Sequence, residues 1–228
     1  MSEFDIEPVP GLPERLPEGE QLRWQGAPQW RALAVRALHV RTVAIYFGLL
    51  IVLRVGYMLV TGESAKVALL SGLWLALLCL AAIAILTVTA YALARSTIYS
   101  ITDRRVVIRF GVALPMAVNI PFRAVQSAGL RRYANGVGDI PMALGDEHRV
   151  NYLILWPNVR PWRIFDAQPM LRCVPDVDRV AEILADALRA ATTAEQVEAT
   201  DQQTNNDRAD PAGNGSSQQL GAASAAGH

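Results

Sequence analysis

The chain has 228 residues, a formal net charge of zero, and a composition that is 52% hydrophobic but only 7% aromatic. An apolar excess carried by Ala, Leu and Val is the composition of membrane helices, and a neutral chain lacks the basic footprint of a nucleic-acid-binding protein. The two cysteines, Cys79 and Cys173, are too few and too far apart for a disulfide framework or a zinc site.

Residues 1–20 hold four prolines and six acids, with no basic stretch followed by an apolar core, so no cleaved signal is expected. Residues 1–41 are expected to form an N-terminal cytoplasmic segment. Its Trp24 and Trp30, in LRWQGAPQWR, suit a lipid–water interface. The first membrane candidate follows at 42–60, TVAIYFGLLIVLRVGYMLV, interrupted only by Arg54. The second, 67–94, is 28 residues without a charge. As a helix it would be about 42 Å long, against a hydrocarbon core of about 30 Å. Only TGESAK (61–66) separates them, which forces an antiparallel transmembrane hairpin with a periplasmic loop. Arg23, Arg31, Arg36 and Arg41 precede the first span, and Arg95, Arg104, Arg105 and Arg109 follow the second. By the positive-inside rule both termini face the cytoplasm of a multi-pass inner-membrane protein. Arg54 has two readings: its head snorkels to the outer interface, or it makes an intramembrane contact, with Ser71, Trp74 or a partner group at similar depth.

Past the second span the periodicity becomes strand-like. Val106, Ile108 and Phe110 alternate with Arg105, Val107 and Arg109, Gly111 marks a turn, and Val118, Ile120 and Phe122 alternate again. Shorter strand candidates follow at 124–130, 139–144 and 150–156. PDVDRVAEILADALRAA (175–191) is an amphipathic helix with Asp176 as expected N-cap and Val177, Val180, Leu184 and Leu188 on one face. Residues 95–191 are therefore expected to form a small antiparallel α+β module closed by a C-terminal amphipathic helix. Residues 192–228, rich in Gln, Asn, Ala, Gly, Ser and acids, are expected to be a disordered acidic tail.

Contact candidates concentrate in LWPNVRPWRIF (155–165), where Trp156, Arg160, Trp162 and Arg163 form an aromatic and cationic cluster of the residue types that dominate interfaces. The alternative is that both tryptophans belong to the module's own core or rest on headgroups. The doublets Arg104–Arg105 and Arg131–Arg132 are candidates for anionic lipid. His39, His148 and His228 form no metal-ligand spacing, and no HExxH, GxSxG, Walker or GxGxxG motif is present, so neither a catalytic residue nor a cofactor is expected.

The run ITDRRVVIRFG, then IPFRAVQSAGL and a terminal helix, resembles the bacterial pleckstrin-homology-like domain found on small membrane proteins, as does LPEGEQLRWQGAP (16–28) upstream. HVRTVAIYFGLL (39–50), GVGDIPMAL (136–144) and YLILWPNVRPWRIFDAQPMLRCVPD (152–176) are similar to the family of photosynthetic-complex assembly proteins of purple bacteria. The similarity spans about residues 12–191. It implies a non-enzymatic assembly factor whose partners are reaction-centre or core-antenna subunits and membrane lipid, with homo-oligomer formation open and nucleic acid not expected. The alternative reading is a membrane-tethered lipid- or peptide-binding module without a photosynthetic role.

Overall fold

The fold is that of a computed structural model, which describes residues 16–17, 19–112, 114–145, 151–162 and 166–209. Arg163, residues 146–150 with His148, and the chain beyond Ala209 lie outside the described residues.

The chain runs β1 (Leu22–Gly26), α1 (Trp30–Arg36), α2 (Val40–Val60), α3 (Ala65–Ser96), β2 (Ile98–Thr102), β3 (Arg105–Phe110) and β4 (Met116–Pro121). It continues with β5 (Val125–Ala128), β6 (Arg131–Arg132), β7 (Gly138–Leu144), α4 (Tyr152–Leu155), β8 (Met170–Val174) and α5 (Val177–Ala209).

α2 and α3 are both long and apolar enough to cross a membrane. They form an antiparallel hairpin because the connection both stops one helix and starts the next. Thr61 Oγ1 donates to the Tyr57 carbonyl at 3.0 Å, Gly62 takes a left-handed φ of 86°, and Ser64 Oγ accepts from the Val67 N–H. Small residues let the helices approach. Ala68 and Gly72 are buried, and a Cβ at Gly72 would stand 2.8 Å from Val55 Cγ2. The outer faces expose Ile45, Leu49 and Leu53 on α2 and Leu69, Leu73 and Leu77 on α3. That apolar surface is of a kind water-soluble proteins rarely leave uncovered.

α3 passes into β2 through Thr97 alone, whose Oγ1 donates to the Leu93 carbonyl at 2.8 Å. The module therefore follows the helix without a flexible linker. One sheet has the order β1-β2-β3-β4, all antiparallel. In the second, β7 pairs with β5, β6 and β8. The alternation read in β3 holds for Val106, Ile108 and Phe110, which join Tyr99, Ile120, Ile140 and Met142 in the core. Val107 is buried as well, so the opposite face of that strand is also covered. Val177, Val180 and Leu184 of α5 close the core, as the helical periodicity requires. Gly138 fits only as glycine, since a Cβ there would lie 2.5 Å from the Arg131 carbonyl oxygen and 2.7 Å from Val177 Cγ1.

Three expectations change. The N-terminal segment is not separate from the module: β1 pairs with β2, and Glu20, which is buried, accepts two bonds from Arg105 at 2.9 and 3.0 Å. Residues 152–155 form a helical turn instead of a strand, because the Asn151 side chain caps it by accepting from the Leu153 N–H, and Pro157 follows. Helix α5 runs to Ala209, taking in the first eighteen residues of the tail expected to be disordered. No Gly or Pro interrupts 192–209, so a helix already nucleated by its packed first half propagates with little resistance.

Candidate functional site

The segment after α4 is held by a buried polar knot. Tyr99 hydroxyl donates to Asn158 Oδ1 at 2.6 Å and accepts from the Arg172 backbone N–H at 3.1 Å. Burial pushes the Tyr99 phenol well above its ordinary range, so it stays a donor. Arg172, in the middle of β8, is itself buried. Its Nη1 donates to the Pro157 carbonyl at 3.0 Å and its Nη2 to the Arg36 carbonyl at 3.1 Å. One guanidinium thus ties the 156–162 segment to the C-terminus of α1, where a cation also complements the helix dipole. The Gln29 N–H donates to the Cys173 carbonyl at 2.9 Å and fixes the other end of α1 to the same strand.

Beside this knot Asp139 accepts from the Tyr133 hydroxyl and from the Cys173 N–H, the latter at 2.8 Å. Burial, then the Asp139 bond and charge, push the Tyr133 phenol up to about 12. Burial and the Asp139 charge push the Cys173 thiol up to about 12 too, so it remains a protonated, unreactive side chain at neutral pH. The Arg36 guanidinium lies 4.4 Å from the Tyr133 ring centroid and that of Arg131 lies 5.5 Å from it.

The knot supports a groove of about 980 Å³ between α1, the start of α2, β6 and the 152–162 segment. Trp156, Arg160 and Trp162 all border it, so three members of the expected cluster do come together. Trp162 is 93% exposed and holds a left-handed φ of 66°. Arg160 is placed by its backbone N–H and its Nη1, which donate to the carbonyl and side-chain oxygens of Gln168 at 2.9 and 3.0 Å. On its other side Trp156 borders a smaller apolar hollow of about 390 Å³ formed with Leu93, Phe110, Met116 and Leu153. Trp156 therefore separates a cationic groove from an apolar shelf at the base of α3.

The remaining expected contacts divide. Arg54 Nε donates to Ser71 Oγ at 3.1 Å, one of the two partners read from the hairpin geometry. Trp24 is half-buried against the module's core instead of facing lipid, because it lies on the paired strand β1. Trp30 stands edge-on to Tyr91 of α3, with ring centroids 6.2 Å apart. Arg104 is exposed, whereas Arg105 is held by buried Glu20 and Arg132 by Asp178 of α5. The pairing with buried Glu20 engages Arg105, while Arg132 stays exposed in its surface pair with Asp178 and, like Arg104, remains accessible. Arg131 is exposed and turns toward the groove. Among the described residues, no three His, Cys, Asp or Glu side chains are grouped to hold a metal ion.

The sequence reading missed Arg36, Tyr99, Tyr133, Asp139 and Arg172. A charged residue inside the otherwise apolar MLRCV was the one signal that pointed to a buried polar contact.

The model of the bacterial PH domain family matches residues 34–188. A Rhodobacter capsulatus protein described as an uncharacterized 23.7 kDa protein in the puhA 5' region is 37% identical over 207 residues, covering 86% of this chain and 92% of that protein. No solved structure matches.

Proposed function

The chain belongs to the bacterial PH domain family, and from that premise we propose that it is a non-catalytic assembly factor, of the PuhB type, for the photosynthetic reaction centre and its core antenna. The observation that carries this reading is the near full-length kinship with a protein encoded in the 5' region of puhA, a reaction-centre gene. Two features of the fold support it. α2 and α3 act as a transmembrane hairpin in the bacterial inner membrane, with the Thr61–Ser64 turn outside and both chain ends in the cytoplasm, the side on which the arginines concentrate. The single-residue joint at Thr97 then holds the PH-like module at the bilayer surface, where Trp156, Trp162 and the apolar shelf beside Leu153 meet a partner's cytoplasmic face while the hairpin packs against its spans.

Such a role needs two surfaces and no reacting group. The buried Cys173 and the hydrogen-bonded Asp139 serve the knot that shapes the module. The test is a near-infrared absorbance spectrum of membranes from a deletion strain, beside wild type and a complemented strain. A selective fall in the reaction-centre or core-antenna bands, restored by the gene, is expected. An unchanged spectrum would sink the assembly role and leave a membrane-tethered binding module.

A further inference from the structure

The two edges of the β1-β2-β3-β4 sheet are built differently. β1 is guarded in two ways: it carries the exposed Arg23, and its register with β2 slips between Leu22 and Trp24. β4 has neither device. Met116–Ile120 holds no charged residue, its register with β3 is unbroken from Arg105↔Pro121 to Phe110↔Met116, and only Pro121 stops it. Among the described residues no strand pairs with its outer side. A flat, uncharged edge presents free N–H and C=O groups, and folded chains seldom leave such an edge open.

Its place in the fold limits what can cover it. Ile98, the residue after the Thr97 joint, lies opposite Arg109, and Arg109 lies opposite Ala117. Two strand spacings put the start of β4 about 10 Å from the end of α3. Met116 also borders the apolar hollow with Leu93 of α3, and Val112 and Leu114, just before β4, are exposed. The chain's own remaining segments are poor occupants by sequence. Pro8, Pro10 and Pro13 remove ladder donors from residues 1–15, and 210–228 has no Val, Ile, Thr, Phe, Tyr or Trp. A second copy is a poor occupant as well. Two-fold pairing of β4 with itself is antiparallel and sets Met116 of one copy against the Pro121 end of the other, away from that copy's α3.

We propose that the β4 edge takes up a strand from another membrane protein: the extended cytoplasmic segment that leads directly into one of its spans. The inference deepens the proposed role and rests on its membrane hairpin, which puts the end of α3 at the bilayer surface. The added strand runs antiparallel to β4, as every other pairing in this sheet does. It therefore travels from the Pro121 end toward Met116 and reaches the bilayer as it leaves the sheet. Beside Met116, Val118 and Ile120, on the face that packs on the core, it needs apolar residues. Beside the exposed Ala117 and Asn119 it needs small or polar ones. Main-chain bonds supply the hold and the alternate side chains supply the selection.

The test places photoreactive p-benzoylphenylalanine at Ala117 of the full-length chain, with a control at Glu182, which is exposed on α5. Each version complements the deletion strain, its membranes are illuminated, and the cross-linked peptides are sequenced. Ala117 should give an adduct within the cytoplasmic residues that immediately precede a span of another membrane protein, and Glu182 should not. Asn119→Lys adds a charge to the edge and should lower the Ala117 adduct by about fivefold, read at equal membrane levels of the two chains. Asn119→Thr, uncharged and suited to a strand, should keep it.

No protein adduct at Ala117, an adduct to a second copy of this chain or to a segment that does not lead into a span, the same adduct from Glu182, or an undiminished yield in Asn119→Lys would each overturn the edge site. The spectrum of the deletion strain separates this from the assembly role. Reaction-centre bands that fall in the deletion strain while Ala117 gives no adduct overturn the edge alone. Unchanged bands beside the expected adduct overturn the assembly role and leave the edge standing.

Discussion

Arg54 and Ser71 meet across the helical hairpin, Nε donating to Oγ at 3.1 Å. The bond is local company for a costly residue rather than the force that closes the hairpin. On the membrane reading of α2, a cation within the span costs about 2.5–3.5 kcal/mol on insertion scales, and one interhelical hydrogen bond returns about 0.6 kcal/mol. Arg54→Leu should therefore insert at least as well as wild type, and Ser71→Ala should change hairpin stability by less than about 1 kcal/mol. A glycosylation-mapped insertion assay reads both. Poorer insertion of Arg54→Leu would mean that the arginine holds the hairpin after all.

Arg172 behaves differently, because its two acceptors belong to two separate segments, the C-terminus of α1 and the 156–162 stretch. Arg172→Met removes the buried bond to the Pro157 carbonyl and the part-buried bond to the Arg36 carbonyl and offers an apolar chain in their place. With hydrogen bonds to a charged group contributing about 1.5–3 kcal/mol each, a loss of about 3 kcal/mol or more is expected in thermal or denaturant unfolding. Arg172→Lys should recover less than half of it, since one ammonium cannot span two carbonyls as a guanidinium fork does. Full recovery by lysine would contradict the clamp.

Gly138 gives a backbone test of the same region. The Cβ of Gly138→Ala would overlap the Arg131 carbonyl and Val177, parting β6 from β7 and lifting the start of α5. Overpacking of this kind costs about 1–3 kcal/mol. A melting temperature within a degree of wild type would show that the strands yield freely there.

High pH should loosen the module in a defined window. The Cys173 thiol is raised from 9.0 to about 12 and the Tyr133 phenol from 10.0 to about 12 in the folded chain. Both groups are held neutral by folding, so their contribution is fully present below the unfolded values. It is lost as pH climbs from about 9 toward about 12, where the unfolded chain ionises first. Circular dichroism followed from pH 8 to 12 should show stability falling, and Cys173→Ala should flatten the lower part of the fall. A Cys173→Ala curve parallel to wild type from pH 9 upward would exclude the thiol from the transition.

The parts of this architecture that were legible in the sequence are those set by a local rule. A long uncharged apolar run makes a helix, and Thr61–Ser64 turn the chain back, so the two long apolar helices lie within two residues of the bounds read for them. Val106, Ile108 and Phe110 were readable because a strand repeats every two residues. The groove was not readable, since Arg36, Arg131, Arg160 and Arg172 are scattered along the chain and meet only once β8 pairs with β7 and α1 docks on β8. Arg105 looked like surface charge because Glu20, which holds it, is far away in sequence. β1 escaped notice for a related reason: it is a polar-looking LRWQG whose strand character comes from its partner β2.

The aromatic cluster offers the sharpest separation of fold from function. Trp162 is almost fully exposed, so Trp162→Ala should alter stability by no more than about 0.5 kcal/mol. Trp156 is half-exposed and divides the apolar shelf from the groove, so its removal opens both surfaces without breaking the knot beneath. If the cluster is where a partner docks, truncating both rings removes contacts of the kind that contribute about 2 kcal/mol or more at interface centres, roughly thirtyfold in affinity. Trp156→Ala/Trp162→Ala should then reach the membrane at wild-type level, yet lower the near-infrared reaction-centre bands toward those of the deletion strain. Normal bands in that variant would move the docking surface elsewhere, to the hairpin itself, where Ile45, Leu49, Leu69 and Leu73 are the exposed side chains to change next.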